Sequence, residues 1–185
     1  DVRYAGMVPE HCKMLLGPEH ALLREEFYEV KKHLRKRAGN IKNILVFYGG
    51  SDLTNETEKA IEALVQLHDE GYNFTADVIT GVSNSRRGKI EKICSEYHFL
   101  HYYCQVNNMA EFMNKADLML GAGGSTTWER LYMELPALVT AVAENQIQGC
   151  RDCSQAGIIE YLGINDDVRV NTILEALHKK LDRHN

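Results

Sequence analysis

The sequence predicts an α/β protein, a Rossmann-like doubly wound parallel sheet of about six strands, and three observations carry that prediction. Short apolar runs alternate with stretches of helical periodicity from Ile41 onward. Two of the apolar runs end in glycine-rich turns, Gly49-Gly50-Ser51-Asp52 and Gly121-Ala122-Gly123-Gly124. The chain, at 185 residues, is long enough for one domain with a substantial core.

The elements follow in order. Residues 1–18 are irregular, with Pro9 and Gly17-Pro18 as breakers. A helix is expected from about Glu19 to Arg37, because Leu22, Leu23, Phe27, Val30 and Leu34 recur at helical spacing. Its basic end, Lys31 to Arg37, reads as a solvated face whose cations suit a helix C-terminus. Ile44 to Tyr48 is the first buried strand. The next helix starts near Asn55, with Glu58 in capping-box position, buries Ile61, Leu64 and Val65, and stops at Gly71. Phe74 to Thr80 is the second strand, a helix runs through Ile90 and Ile93, and Phe99 to Tyr103 is the third strand. Asn107 caps a short helix through Met109, Phe112 and Met113, and Ala116 to Leu120 forms the fourth strand. A helix with Trp128 and Leu131 follows; Pro136 introduces a fifth strand, Ala137 to Ala141, and Glu144-Asn145-Gln146 opens the next helix. A last strand at Ile158 to Tyr161 and a helix from Asp167 to Leu181 close the unit.

The turn after the fourth strand carries the most chemistry. Gly121, Gly123 and Gly124 lack Cβ atoms, so they can adopt backbone angles closed to other residues and point consecutive N–H groups into one concavity. The helix start behind them adds a positive dipole end. Glu129, early in that helix, suits neutral hydroxyls such as a ribose diol rather than phosphate. A second reading of Thr126-Thr127-Trp128-Glu129 is a capping box. The pattern lacks the Gly-Lys-Ser/Thr ending of a phosphate-binding loop. Thr126 also stands where G-x-G-x-x-G has its last glycine, so ATPase and dinucleotide readings weaken.

In a sheet of order 3-2-1-4-5-6, strands one and four are neighbours where the winding reverses. Gly49, Gly50 and Ser51 then form one lip of a crevice, and the turn from Gly121 to Ser125 forms the other. The N–H groups of Gly124, Ser125 and Thr126, with the Ser125 and Thr126 hydroxyls, would hold a diphosphate, and Ser51 would reach it from across. Asn145 and Gln146 suit the hydroxyl or acetamido groups of a sugar. Asp52 is equally a turn or a helix-cap residue.

Composition bounds what remains. Twenty-one basic against 26 acidic residues, a formal net charge of -5, argue against a nucleic-acid partner. No apolar run approaches a membrane span of ~20 residues. Five scattered cysteines suggest a reducing, cytoplasmic setting. Cys150-Arg151-Asp152-Cys153 has no second pair to complete a zinc site, and no metal or cofactor is expected. The chain begins at Asp1 rather than methionine, which suggests a piece of something longer.

Gly17-Pro18-Glu19-His20-Ala21-Leu22-Leu23-Arg24-Glu25-Glu26-Phe27, Gly49-Gly50-Ser51-Asp52, the stretch from Gly121 to Arg130 and Ala143-Glu144-Asn145-Gln146, in that order, resemble the pseudaminic-acid pathway UDP-sugar hydrolase family. Spore coat polysaccharide biosynthesis proteins are among that family's relatives. His20 stands where the family pattern has tyrosine. The resemblance implies the C-terminal half of a GT-B architecture. Residues 1–40 would be the interdomain crossover and helix, residues 41–185 the UDP-sugar-binding domain, and the N-terminal catalytic domain would lie outside this chain. It further implies that Gly124 to Thr126 take the pyrophosphate, Glu129 the ribose, the backbone near Asn108 and Met109 the uracil, and Asn145 and Gln146 the sugar. The Met109 side chain itself reads as core.

The implied reaction is hydrolysis of UDP-2,4-diacetamido-2,4,6-trideoxy-β-L-altropyranose, with water attacking the anomeric carbon and UDP leaving. The base that activates the water belongs to the other half, so no catalytic residue is assigned here and the chain alone is expected to be inactive. A GT-B glycosyltransferase and a non-catalytic nucleotide-sugar-binding module remain as alternatives.

Overall fold

The computed structural model describes residues 6–15, 17 and 20–182. Helix α1 (Glu25–Lys31) leads into β1 (Asn43–Phe47), α2 (Glu56–Asp69), β2 (Thr75–Thr80), α3 (Arg87–Glu96), β3 (Leu100–Cys104), α4 (Met109–Lys115) and β4 (Leu118–Ala122). The chain continues through α5 (Thr126–Tyr132), β5 (Ala137–Ala141), α6 (Glu144–Gln155), β6 (Glu160–Ile164) and α7 (Val170–Leu181). The strands form one parallel sheet in the order β3-β2-β1-β4-β5-β6, the doubly wound arrangement the sequence predicts. Helices cover both faces, so the central strands β1, β4 and β5 are buried on both sides. Ile44, Val46, Leu118 and Leu120 join one core with Leu64 and Leu67 of α2 and Ile173 and Leu177 of α7. Leu45, Met119 and Val139 join the other with Phe27, Met113 and Met133. Adjacent strand residues thus serve opposite cores, as the two-residue period of a strand requires.

The register fixes where the crevice lies. Phe47 at the end of β1 pairs with Gly121 of β4, so the turns leaving these two strands emerge side by side. Thr140 of β5 pairs with Ala122, which brings the start of α6 alongside.

Several boundaries differ from expectation. Strand β4 runs on through Gly121 and Ala122, so the turn itself is only Gly123 to Ser125. None of Gly121, Gly123 and Gly124 has a positive φ. Two of the three are glycine for space. A Cβ on Gly121 would lie 2.8 Å from the Phe47 carbonyl oxygen, and one on Gly123 would lie 2.2 Å from Cys150 Sγ. The left-handed angle expected of the crevice occurs instead on the opposite lip, at Gly49 (φ +96°) and Asp52 (φ 42°). The last strand is displaced to Glu160–Ile164, and α7 begins at Val170.

The expected helix from Glu19 to Arg37 shrinks to the seven residues of α1. Glu19 lies outside the described residues, Leu22 is fully exposed, and Arg24 has extended backbone (φ -66°, ψ 150°). After a turn at Lys32 and His33 the chain leaves the helix, and Arg35 and Arg37, two apart, reach the same neighbouring helix ends. Arg35 donates to the carbonyls of Asn114 and Lys115 and pairs with Asp117. Arg37 donates to the carbonyls of Met113, Ala116, Met133 and Glu134. The basic run is therefore a solvated face only in part, at Lys32, His33 and Lys36. Its two arginines cap the carbonyl ends of α4 and α5, groups a helix leaves without internal partners.

Capping differs at the N-termini too. Asn55 makes no side-chain cap on α2; the Asp52 carboxylate accepts from Glu56 N and Thr57 N, both at 2.9 Å. Asp52 is thus a helix cap. Glu58 pairs instead with Lys89. Helix α4 starts after Asn108, not Asn107, and its Ala110 N–H is taken by Glu26 of α1 at 3.1 Å.

Candidate functional site

At the C-terminal edge of the sheet, a cavity of about 270 Å³ opens between β1, β2 and β4. Its walls include Phe47 and Gly50 from the first strand and its turn, Thr80 and Gly81 from the second, and Gln105, Val106 and Met109 ahead of α4. Ser125, Thr126 and Glu129 of α5 and Arg24 close it. The first two turns touch backbone to backbone: a Cβ on Gly81 would lie 2.5 Å from the Gly50 carbonyl oxygen. A second cavity, of about 260 Å³, lies across the glycine turn and is lined by Gly123, Gly124, Thr127, Trp128, Asn145, Gln146, Cys150 and Cys153. A larger hollow beside Lys42, Tyr72 and Asn73 lies at the opposite edge, where the strands begin. Ligands of open α/β sheets sit at the carboxyl ends of the strands, so the first two cavities are the candidates.

The turn between them is short of hydrogen-bond acceptors. Gly123 N–H bonds the Thr140 carbonyl at 3.2 Å, and the next donors to find carbonyls are Thr127 and Trp128. The N–H groups of Gly124, Ser125 and Thr126 have no acceptor among the described residues. Ser125 makes no side-chain cap, and the capping box of Thr126 and Glu129 does not form. Three consecutive donors in residues beside the two cavities, at the positive end of α5, are therefore left without an acceptor among the described residues.

Glu129 is engaged elsewhere. One of its oxygens accepts from Arg24 Nε and Nη2, at 3.4 and 3.3 Å, and the other has no such partner. Arg24 also pairs with Glu26 at 2.7 Å, and its guanidinium lies 5.2 Å above the Phe27 ring. Burial pushes the Glu129 carboxyl above its ordinary value, and the Arg24 charge holds it part of the way down. Through Arg24 on Glu129 and Glu26 on Ala110 N, the start of α1 braces both walls of the first cavity.

Behind the turn lies Arg130, with no exposed surface. Its Nη1 donates to the Ala122 carbonyl at 3.1 Å and its Nη2 to the Thr127 hydroxyl at 2.8 Å, while Nε has no acceptor. Among the described residues no carboxylate pairs with it. Desolvation lowers its pKa to about 10.

The expected site residues thus divide. Gly50, Met109, Ser125, Thr126 and Glu129 share the first cavity. Gly123, Gly124, Asn145 and Gln146 share the second, with Gly124 joining the two through the turn. Gly49 and Ser51 line neither, and Ser51 is exposed. The Asn108 side chain donates to Glu111, and the cavity wall on this side is made by Gln105, Val106 and Met109. Gln146 has its amide oxygen on Val142 N at 3.0 Å, which leaves its NH₂ as the group that faces the turn. Sequence reasoning gave no role to Arg24, Thr80, Gln105 or Arg130. Of these, Arg24 and Arg130 lie in stretches the motifs single out, and Thr80 and Gln105 do not.

Cys150 and Cys153 are free thiols on the inner side of α6, and burial raises the pKa of each. Among the described residues no group of three or more His, Cys, Asp or Glu is arranged to hold a metal ion, and no helix is long and apolar enough to cross a membrane.

Comparison with known proteins gives this geometry a family. The chain is 26% identical over 177 residues to the spore coat polysaccharide biosynthesis protein SpsG of Bacillus subtilis, covering 94% of this chain and 51% of that one. It is 24% identical over 143 residues to the UDP-2,4-diacetamido-2,4,6-trideoxy-β-L-altropyranose hydrolase of Campylobacter jejuni, covering 77% of this chain and 49% of that one. Protein MJ1062 of Methanocaldococcus jannaschii is 33% identical over 142 residues, 74% of this chain and 28% of its own length. The chain thus spans about half or less of each curated relative. Among solved structures, Acinetobacter baumannii MurG superposes with a TM-score of 0.64 at 14% identity, over 97% of this chain and 50% of MurG, which shows the shared fold. The model of the glycosyltransferase family 28 C-terminal domain matches residues 43–181, and this chain belongs to that family.

Proposed function

We propose that this chain is the nucleotide-binding half of an enzyme that acts on a UDP-sugar. The observation that carries the reading is the row of three N–H groups, Gly124 to Thr126, that have no acceptor among the described residues and lie between two cavities at the switch point of the sheet. The diphosphate spans that row. The nucleoside lies in the first cavity, its uracil against Val106 and Met109 and its ribose diol on the open oxygen of Glu129. The sugar lies toward Asn145 and the free NH₂ of Gln146. Residues 1–40 then form the crossover to an N-terminal catalytic half of the full-length protein, and residues 41–185 form the UDP-sugar domain.

For the reaction we propose hydrolysis, releasing UDP and a 2,4-diacetamido-2,4,6-trideoxy sugar, on the strength of the Campylobacter jejuni relative's named activity. Donors fixed before the reaction stabilise the charge that develops on the departing diphosphate, the contribution this half makes to catalysis. A role in surface or spore-coat polysaccharide synthesis follows from the SpsG likeness. A transferase remains the second reading, favoured by the family's own description. Assay of the full-length protein with and without sugar acceptors separates the two by product.

The binding claim is tested by calorimetric titration with UDP, dTDP, GDP and ADP. UDP should bind most tightly, and Glu129→Ala should weaken it about tenfold, the value of a charged hydrogen bond, with little change in melting temperature. Equal affinity for the four nucleotides, or an unchanged Glu129→Ala variant, contradicts the assignment.

A further inference from the structure

We infer that Arg130 is a binding determinant that never touches its ligand: its buried positive charge, with no carboxylate beside it among the described residues, sets the preference of the glycine turn for a diphosphate over a less charged group. This inference rests on the reading above that the turn holds a diphosphate.

Arginine is seldom buried completely, and when it is, a carboxylate accompanies it. Arg130 is buried completely and has none among the described residues. The titratable groups that act on it are Tyr48, Cys150 and Cys153, and burial raises the pKa of each, so all three are neutral near pH 7. An isolated ion in such a place is costly unless something completes it. Two of its nitrogens are bonded to the two ends of the turn, at Ala122 and at Thr127, and the donors without acceptors are the three residues just before Thr127. The third, Nε, is buried and unsatisfied. Guanidinium and open N–H groups thus belong to one short strip of backbone, from Ala122 to Thr127. An anion held by the N–H groups is attracted by the guanidinium through protein rather than water, where screening is weak.

A purely structural Arg130 would tie the turn together and nothing more. The two roles separate by ligand charge. The chain, with Arg130→Lys and Arg130→Met variants, is titrated with UDP and UMP by calorimetry and with uridine by chemical-shift changes, folding being checked by circular dichroism. Arg130→Met should weaken UDP at least tenfold and UMP less, and leave uridine within about twofold, so the UDP-to-uridine ratio collapses. Arg130→Lys, which keeps the charge and loses the fork, should keep most of that ratio. In the parent chain the ratio should survive 0.5 M salt. Equal loss for all three ligands, or an unchanged ratio in Arg130→Met, overturns the inference alone. If Arg130→Met does not fold, a ratio lost in Arg130→Lys or abolished by salt overturns it, and a retained one supports it. A parent chain that binds none of the three overturns the diphosphate reading and this inference with it.

Discussion

The turns that leave β1 and β4 lie side by side, are both glycine-rich, and both lead into a helix, yet they finish their hydrogen bonding in opposite ways. After β1, the Asp52 carboxylate accepts from Glu56 N and Thr57 N, so α2 carries its own anion at its positive end. After β4, no side chain caps α5, and three N–H groups are without acceptors among the described residues. Asp52 holds a left-handed angle to reach its donors, whereas Gly124 leaves room in which a ligand can approach. The difference teaches which turn is structural and which is open. One helix start is complete, and its neighbour leaves three donors open among the described residues, which is what the proposed diphosphate would fill.

Giving the second turn what the first already has should produce the largest effect. Ser125→Asp places a carboxylate at the start of α5. It should abolish most UDP binding, by roughly a hundredfold, since it competes for the donors and repels the phosphates, while leaving stability within about 1 kcal/mol of the parent. Calorimetry and thermal melting read the two effects separately. A variant that still binds UDP normally would mean that the open donors are not the phosphate site.

Asp117 extends the comparison to the opposite edge of the sheet, where a carboxylate again completes the backbone. It accepts from Lys42 N and Asn43 N and pairs with Arg35. Burial alone would raise its pKa, but Arg35 and the two backbone donors outweigh it and the pKa is lowered. A lowered folded pKa contributes stability that is full above the unfolded value near 4 and is lost as pH falls through the folded one. Melting temperature should therefore drop more steeply below about pH 4 in the parent than in Asp117→Asn. At pH 7 that variant should be about 2 kcal/mol less stable, with UDP binding unaffected. Parallel acid profiles of parent and variant would remove Asp117 from this role.

The smallest effect belongs to the complete turn. Asp52→Ala removes the cap of α2 and should cost about 1 kcal/mol in denaturant melts, with no change in UDP affinity. A large loss of affinity would make the β1 turn part of the binding site after all.

The sheet was legible because buried parallel strands are short apolar runs and their exits are glycine turns, so order and adjacency followed from alternation alone. The turn at Gly121 to Thr126 was legible for the same reason, although its glycines serve close packing against Phe47 and Cys150 rather than unusual φ angles. What could not be read were partners distant in the chain. Glu129 fits a capping box by local spacing, but its partner, Arg24, is 105 residues away. The leucine spacing before Arg37 is helical, yet the bonds of Arg35 and Arg37 to the ends of α4 and α5 draw the chain out of the helix. Arg130 follows Glu129 on a short amphipathic helix, and nothing in local pattern distinguishes an exposed arginine there from a buried one. The packing of α5 against the sheet decides it.

The most direct test follows the backbone amide resonances of the chain as UDP is added. The account predicts large downfield shifts of the Gly124, Ser125 and Thr126 amide protons as they gain phosphate acceptors, with the Glu56 and Thr57 amides nearly still. UDP that binds while leaving those three amides unmoved, or that moves the α2 start instead, would contradict it.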